Sequence, residues 1–97
     1  MADLRFEWDP KKASSNEKKH RVSFDEAKSV FADEDALVIP DPDHSQVEDR
    51  FIILGMSQNK RALVVVHCFR YEAAVIRIIS ARQAGTKEQK PYWDKKS

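Results

Sequence analysis

The stretch ALVVVHCFRYEAAVIRIISAR (residues 62–82) contains two apolar runs of strand length on either side of the short connection RYEA. Val- and Ile-rich runs separated by so few residues are typical of a β-hairpin. The first run is apolar at successive positions, which predicts a central strand buried on both faces. The second run has Arg77 at its middle, and a guanidinium is costly to bury without a partner. The stretch therefore predicts a hairpin whose second strand carries a charge that needs an explanation.

Two more strand-like runs precede this hairpin, ALVI (residues 36–39) and RFIILG (residues 50–55). The acidic segment PDPDHSQVED (residues 40–49) separates them, and MSQNKR (residues 56–61) leads into the hairpin. Four strands joined in this order predict an antiparallel meander, with the acidic segment as a solvated excursion.

The two short connections set the alignment of the central strands. If they are centred near residues 58–59 and 72–73, Arg50 and Arg77 both lie across from the middle strand, beside either His67 or Cys68. A slip of one residue exchanges the two alternatives, and the sequence leaves both open.

The N-terminal part of the chain predicts a short strand and a helix. RFEWD (residues 5–9) alternates in polarity as a strand does. It ends at Asp9-Pro10, where Asp9 suits the N-cap and Pro10 the first position of a helix. The helix is predicted over about residues 10–20, with lysines on one face.

Two further helices are predicted from capping patterns. VSFDEAKSVF (residues 22–31) has apolar residues at helical spacing after the capping box Ser23 to Glu26. Thr86 begins a second such pattern near the C-terminus, where Pro91 allows only a short helix. Together with the strands, these helices predict an α+β fold.

Length and composition predict one small globular domain spanning residues 1–97, with 41% apolar and 34% charged residues. The single cysteine excludes an internal disulfide and multi-thiolate metal sites, which favours a reducing, cytoplasmic location. No segment has the apolar length of a membrane span, and the N-terminus lacks the features of a signal peptide. His44 beside Asp41 and Asp43 matches no standard metal loop, so neither a metal nor another cofactor is predicted.

Charge is distributed unevenly along the chain. The net charge is only +1, but residues 61–97 carry 8 Lys or Arg and 3 Asp or Glu, whereas residues 35–60 carry 2 and 5. Such a separation predicts an electropositive face and makes a polyanion a plausible partner.

Arg50 and Arg77 on adjacent rows could together bind a phosphate, because guanidinium geometry matches phosphate oxygens. His67 and Glu48 are the nearby groups that could transfer protons or orient an arginine. The alternative is a purely structural ion-pair network, which can mimic a functional site. Residue types alone do not decide between the two.

The chain resembles, in order and spacing, the BrnT family of toxins from bacterial type II toxin–antitoxin systems. The resemblance rests on FEWDPKK (residues 6–12), an Asn three residues before KH (residues 19–20), VSFDEA (residues 22–27) and above all IRIISAR (residues 76–82). It implies a RelE-like ribonuclease fold, in which a small antiparallel sheet has two N-terminal helices packed on one face and a short C-terminal helix.

The resemblance also implies an activity, metal-independent cleavage of RNA by attack of the ribose 2′-OH on the adjacent phosphate, which inhibits translation. The residues implied for catalysis are Lys19, His20, Glu48, Arg50, His67 and Arg77. Those implied for contacts with RNA phosphates are Lys18, Arg70 and Arg82.

The implied partners are an RNA substrate and a cognate antitoxin whose DNA-binding part is of the ribbon-helix-helix type. Operon DNA would be contacted through that antitoxin. The alternative function is a non-catalytic α+β module that binds RNA or a protein through the same basic face.

Overall fold

The computed structural model describes residues 4–41, 49–72 and 74–97, and within these ranges the chain forms an α+β fold. The strands are β1 (Arg5–Glu7), β2 (Leu37–Pro40), β3 (Arg50–Met56), β4 (Ala62–Arg70) and β5 (Val75–Gln83). The helices are α1 (Pro10–His20), α2 (Phe24–Ser29) and α3 (Lys90–Lys96), and a 3₁₀ turn at Val30–Ala32 extends α2.

The five strands form one mixed sheet in the order β1-β5-β4-β3-β2. Strands β2 to β5 make the predicted antiparallel meander. The prediction of a purely antiparallel sheet is wrong, because β1 pairs parallel with β5. The side of β5 that faces away from β4 accepts this strand, and Phe6 pairs there with Ile76 while it packs against the core.

Helix α1 begins as its sequence predicts. The Asp9 side chain accepts a hydrogen bond from the Lys11 N–H at 2.8 Å, and Pro10 occupies the first turn, where its missing N–H costs nothing. The helix ends at His20, and Arg21, which has a left-handed backbone (φ 58°), caps it by donating its N–H to the Glu17 carbonyl.

Helix α2 contains half of the predicted capping box. The Ser23 hydroxyl accepts a hydrogen bond from the Glu26 N–H. The Glu26 carboxylate binds Arg61 and, at 2.6 Å, the Ser57 hydroxyl instead of returning to the helix start. The Arg61 guanidinium holds the pKa of the buried Glu26 carboxyl below its ordinary value, so this pair ties α2 to the β3–β4 turn.

One face of the sheet forms the hydrophobic core with the N-terminal helical segments. The fully buried residues of this cluster are Val22, Phe24, Ala27, Val30, Ile53, Leu63, Val65, Ile78 and Ala81. Side chains alternate between the two faces along a strand, so this packing also assigns every neighbouring strand position to the opposite face.

The C-terminal segment differs from its prediction, since α3 begins at Lys90 and not near Thr86. Pro91 lacks the N–H that a helix interior needs, and it therefore lies in the first turn. The Tyr92 hydroxyl donates a hydrogen bond of 2.7 Å to the Asp33 carboxylate. Burial and this bond raise the pKa of Tyr92 to about 12, and the contact fastens the tail to the segment that precedes β2.

None of the helices in the three described ranges has the length and apolar character that a membrane span requires.

Candidate functional site

Arg50, Cys68 and Arg77 are direct neighbours across three adjacent strands. The sequence left His67 and Cys68 as alternatives for the middle position, and the structure has Cys68 there. Strands in a sheet lie about 4.8 Å apart, so the two arginine Cα atoms are about 10 Å apart. Their side chains project from the face opposite the core, which we call the arginine face.

A β-bulge in β5 adds Arg82 to the arginine face. Arg77 and Arg82 are five residues apart, and regular alternation would put them on opposite faces. Val66 pairs with Ser80 whereas His67 pairs with Ile78, so Ile79 is an extra residue that reverses the alternation. Arg77, Ser80 and Arg82 consequently share one face, and Arg70 at the end of β4 belongs to it as well.

Two of these arginines are held by carboxylates of the same chain. The Arg77 guanidinium donates to Glu7 of β1 at 2.6 Å, and both side chains are about 30% exposed (28% and 31%). Arg82 makes two bonds of 2.7 Å to Glu88, one to each carboxylate oxygen. The Arg82 guanidinium lowers the pKa of the Glu88 carboxyl to about 2, so this pair is fully charged at neutral pH.

Sequence reasoning missed both carboxylates. Glu7 reaches Arg77 only because β1 pairs parallel with β5, and Glu88 reaches Arg82 only after the bulge has turned that arginine to the arginine face. Neither contact leaves a recognisable pattern in the sequence.

A basic groove lies between α1 and the bulged part of β5. Strand β1 covers β5 only at Val75–Arg77, so α1 packs beside the remainder of β5. The groove has a volume of about 230 Å³ and is lined by Lys12, Ser15, Asn16, Lys19, His20, Ile79 and Ser80. Because Ser80 also belongs to the arginine face, the groove that contains Lys19 and His20 adjoins that face at Ser80.

Asn16 sets the position of α1 against β5. Its side-chain amide donates to the Ala81 carbonyl at 2.8 Å and to the Val22 carbonyl at 3.0 Å, and its carbonyl accepts from the Ala81 N–H at 3.1 Å. The side chain is buried, so three backbone groups that water cannot reach depend on it.

His67 lies on the core face, away from the arginines. It is 1% exposed, and its ring packs edge-on against Phe31 at 4.8 Å and Phe69 at 5.6 Å between ring centroids. Burial among these rings lowers the pKa of His67 in spite of its contact with the Val65 carbonyl. The structure therefore separates His67 from the other residues that the sequence grouped around Arg50 and Arg77.

This burial predicts how stability depends on pH. The pKa of His67 is lower in the folded chain than its ordinary value of 6.5, so the unfolded chain binds more protons below that pH. The free energy of unfolding should be highest above about pH 6.5 and should decrease as the pH falls through that value. His67→Phe keeps an aromatic ring and should remove this decrease, leaving only the loss from carboxylates at lower pH.

Urea unfolding of both proteins at a series of pH values measures the difference. RNA cleavage at neutral pH should survive in a folded His67→Phe variant. Loss of cleavage without loss of fold would give His67 the catalytic role that the sequence suggested.

Arg70 and Lys18 are the remaining described residues that were predicted to contact RNA phosphates. Arg70 is exposed and, with Asp49, Phe51, Cys68 and Phe69, lines a depression of about 370 Å³ at the ends of β3 and β4. Lys18 is exposed on α1. Glu48 and His44 lie outside the described residues. Within those residues, no group of three or more His, Cys, Asp or Glu side chains is arranged to hold a metal ion.

Comparisons with known proteins identify the family of the chain and a solved structure with a similar fold. The family described as ribonuclease toxin, BrnT, of type II toxin–antitoxin systems matches residues 8–88. The crystal structure of the Brucella abortus ribonuclease toxin BrnT superposes with a TM-score of 0.67 at 21% identity, over 87% of this chain and 100% of that one. No match was found among curated proteins.

Proposed function

Since the chain belongs to the BrnT family of ribonuclease toxins of type II toxin–antitoxin systems, we propose that it cleaves RNA on its arginine face without a metal ion. The observation that carries this proposal is the row in which Arg50 and Arg77 flank Cys68 on adjacent strands. Two guanidiniums at this spacing can contact the oxygens of one phosphodiester from both sides.

In the proposed reaction the ribose 2′-oxygen attacks the adjacent phosphorus. The O2′–P bond forms and the P–O5′ bond breaks, which leaves a 2′,3′-cyclic phosphate on one product and a 5′-hydroxyl on the other. Negative charge grows on the non-bridging oxygens in the transition state, and Arg50 and Arg77 stabilise that charge. Glu7 holds the Arg77 guanidinium in position on the sheet, at 2.6 Å.

The reaction also needs a base for the 2′-hydroxyl proton and an acid for the departing 5′-oxygen. His20 and Lys19 are the candidates, since they line the groove that continues from the arginine face at Ser80. Arg70, Arg82 and Lys18 are the further phosphate contacts in this proposal. Glu48 keeps its predicted role as a base or as a partner of Arg50.

The proposed consequence of cleavage is that translation stops in the cytoplasm until a cognate antitoxin binds. The antitoxin carries a DNA-binding part of the ribbon-helix-helix type, so operon DNA is contacted through the antitoxin and not by this chain. In this proposal the toxin binds RNA and the antitoxin binds DNA. The basic arginine face suits the toxin's part, because its substrate is the polyanion RNA and not a membrane.

Glu88 competes with RNA for Arg82 in this proposal. Glu88→Gln removes the carboxylate that occupies the guanidinium, and it should tighten RNA binding by about two- to fivefold, the range of an exposed ion pair. Asp94→Asn is a matched control, because it changes the net charge equally but releases Lys90. Fluorescence anisotropy of labelled RNA, under conditions in which the RNA is not cleaved, measures the RNA affinity of both variants. Equal tightening in the two variants would mean that only net charge matters.

The proposed function is tested with purified protein and end-labelled RNA in the presence of a chelator. Wild type should give products with cyclic-phosphate ends, and Arg77→Ala prepared in parallel should not, which excludes a contaminating nuclease. RNA binding that weakens with salt but is not followed by cleavage would favour a non-catalytic binding module. A translation extract then distinguishes such a module from a nuclease that acts only on the ribosome.

A further inference from the structure

The edge strand β2 exposes apolar side chains on both of its faces. Val38 and Ile39 are adjacent, so they point to opposite faces, and each is 54% exposed. Within the described residues, β2 is the last strand of the sheet and no strand pairs with its outer side. Proteins generally protect such an edge with charges or a covering segment, because an apolar edge invites another strand to pair with it.

A small apolar cavity opens beside this strand on the arginine face. Its volume is about 250 Å³, and it is lined by Leu37, Ile39, Ile52, Leu54, Val64, Arg82, Glu88 and Pro91. Small-molecule pockets usually measure about 300–1,000 Å³. The cavity is thus better suited to one or two side chains of a protein partner than to a separate small ligand.

Charge makes this edge unsuitable for RNA. Residues 33–49 include seven Asp or Glu and no Lys or Arg. Glu34 and Asp35 lie one residue before β2, and Asp41 directly follows it. Arg77 and the α1 groove lie towards the opposite edge of the sheet, where β5 and β1 are found, whereas Arg50 lies on β3, the neighbour of β2. A partner at β2 should therefore bring positive charge.

We infer that β2 and the cavity beside it are the docking surface for a β-strand of the cognate antitoxin, which carries alternating apolar residues flanked by Lys or Arg. The inference rests on the proposed function for the identity of the partner. Strand addition gives affinity through main-chain hydrogen bonds and specificity through alternate side chains in pockets. In this arrangement every second side chain of the added strand faces Leu37 and Ile39, and one of them fills the cavity.

The added strand pairs with the outer side of β2 and leaves Arg77 uncovered. Strand β2 lies three positions, or about 14 Å, from β5, which carries Arg77, and one position from β3, which carries Arg50. Inhibition of cleavage then comes from antitoxin segments beyond the docked strand. Tight binding and inhibition are separable properties in this arrangement.

The test measures direct binding between purified wild-type or variant chains and the full-length cognate antitoxin, by calorimetry without RNA. Ile39→Lys places a charge on the apolar edge and should weaken binding at least about tenfold, as removal of an apolar anchor does. Its RNA cleavage should stay unchanged. Tyr71→Lys is the matched control, because Tyr71 is 72% exposed in the distant β4–β5 turn and should bind antitoxin normally. Hydrogen exchange should show new protection at β2 amides in the complex.

Three results would overturn the inference. The first is unchanged antitoxin affinity in Ile39→Lys. The second is a wild-type dimer that Ile39→Lys converts to monomer, since the edge would then serve a second copy of the chain. The third is a loss of RNA binding in Ile39→Lys that is as large as its loss of antitoxin binding. Because binding is measured without RNA, a wild type that fails to cleave RNA but needs β2 for the antitoxin would refute only the proposed function.

Discussion

Replacing Arg77 with alanine is expected to lower the rate of RNA cleavage by about 100- to 1,000-fold, the usual effect of removing one group that stabilises transition-state charge. Arg77→Lys should have an intermediate rate, because lysine keeps the charge but loses the planar, bidentate geometry. Single-turnover cleavage of end-labelled RNA measures both. The loss should appear in the rate of the chemical step more than in RNA affinity, since the added negative charge exists only in the transition state.

The effect must be separated from a loss of structure, because Arg77 also pairs with Glu7 at 2.6 Å. Glu7→Gln removes the same ion pair and keeps the guanidinium. The pair is partly exposed, so each variant should lose at most about 1 kcal/mol of stability. Glu7→Gln should retain most of the cleavage, whereas Arg77→Ala should lose it. Equal loss in the two variants would reduce Arg77 to a structural residue.

The arrangement around Arg77 was only partly predictable from sequence. Period-two patterns and short connections identified β3, β4 and β5, and the centre of the β4–β5 turn between residues 72 and 73 is confirmed by the pairing of Cys68 with Arg77. The β3–β4 connection was uncertain by half a residue. That uncertainty is enough to exchange Cys68 for His67, because neighbouring side chains point to opposite faces.

The bulge at Ile79 could not be predicted. The neighbours of Ile79 are Ile78 and Ser80, and each is compatible with either face of a strand. The sequence therefore contains no sign of the extra residue. The parallel pairing of β1 is equally hidden, since it joins segments that are about 70 residues apart. Local patterns therefore predicted the strands, while tertiary contacts determined which charged groups meet.

The buried position of Asn16 could not be predicted from the sequence either. A polar residue in the weakly amphipathic sequence of α1 predicts an exposed position, yet Asn16 is 7% exposed. Its partners, Val22 and Ala81, contribute backbone groups, which no sequence pattern records.

Asn16→Ala is therefore expected to be strongly destabilising. It leaves two carbonyls and one N–H buried without a partner, and each such group costs about 1–3 kcal/mol. The free energy of unfolding should decrease by about 3 kcal/mol or more, a large part of the stability of a small domain. Thermal unfolding should show a Tm lower by more than about 12 °C. A decrease below about 1 kcal/mol would mean that water replaces the amide.

Asn16→Asp separates the hydrogen bonds from the volume of the side chain. A carboxylate has the shape of the amide but no N–H to donate, and it would face the Val22 and Ala81 carbonyls. At neutral pH this variant should be at least as unstable as Asn16→Ala. Burial and the two carbonyls should raise the pKa of the new carboxyl above its unfolded value of about 3.9. Its penalty is then largest at high pH and should decrease as the pH falls through the folded pKa.

The same variants test whether α1 must be fixed for catalysis. At a low temperature where Asn16→Ala remains folded, Lys19 and His20 should no longer be held beside Ser80. The rate of the chemical step should then decrease more than RNA affinity does, because a small displacement of catalytic groups affects the transition state most. Ser15→Ala is the control, since Ser15 lines the same groove without joining α1 to β5. A cleavage rate in Asn16→Ala equal to that of wild type, per folded molecule, would show that the Asn16 hydrogen bonds are not needed to position the groove residues for the reaction.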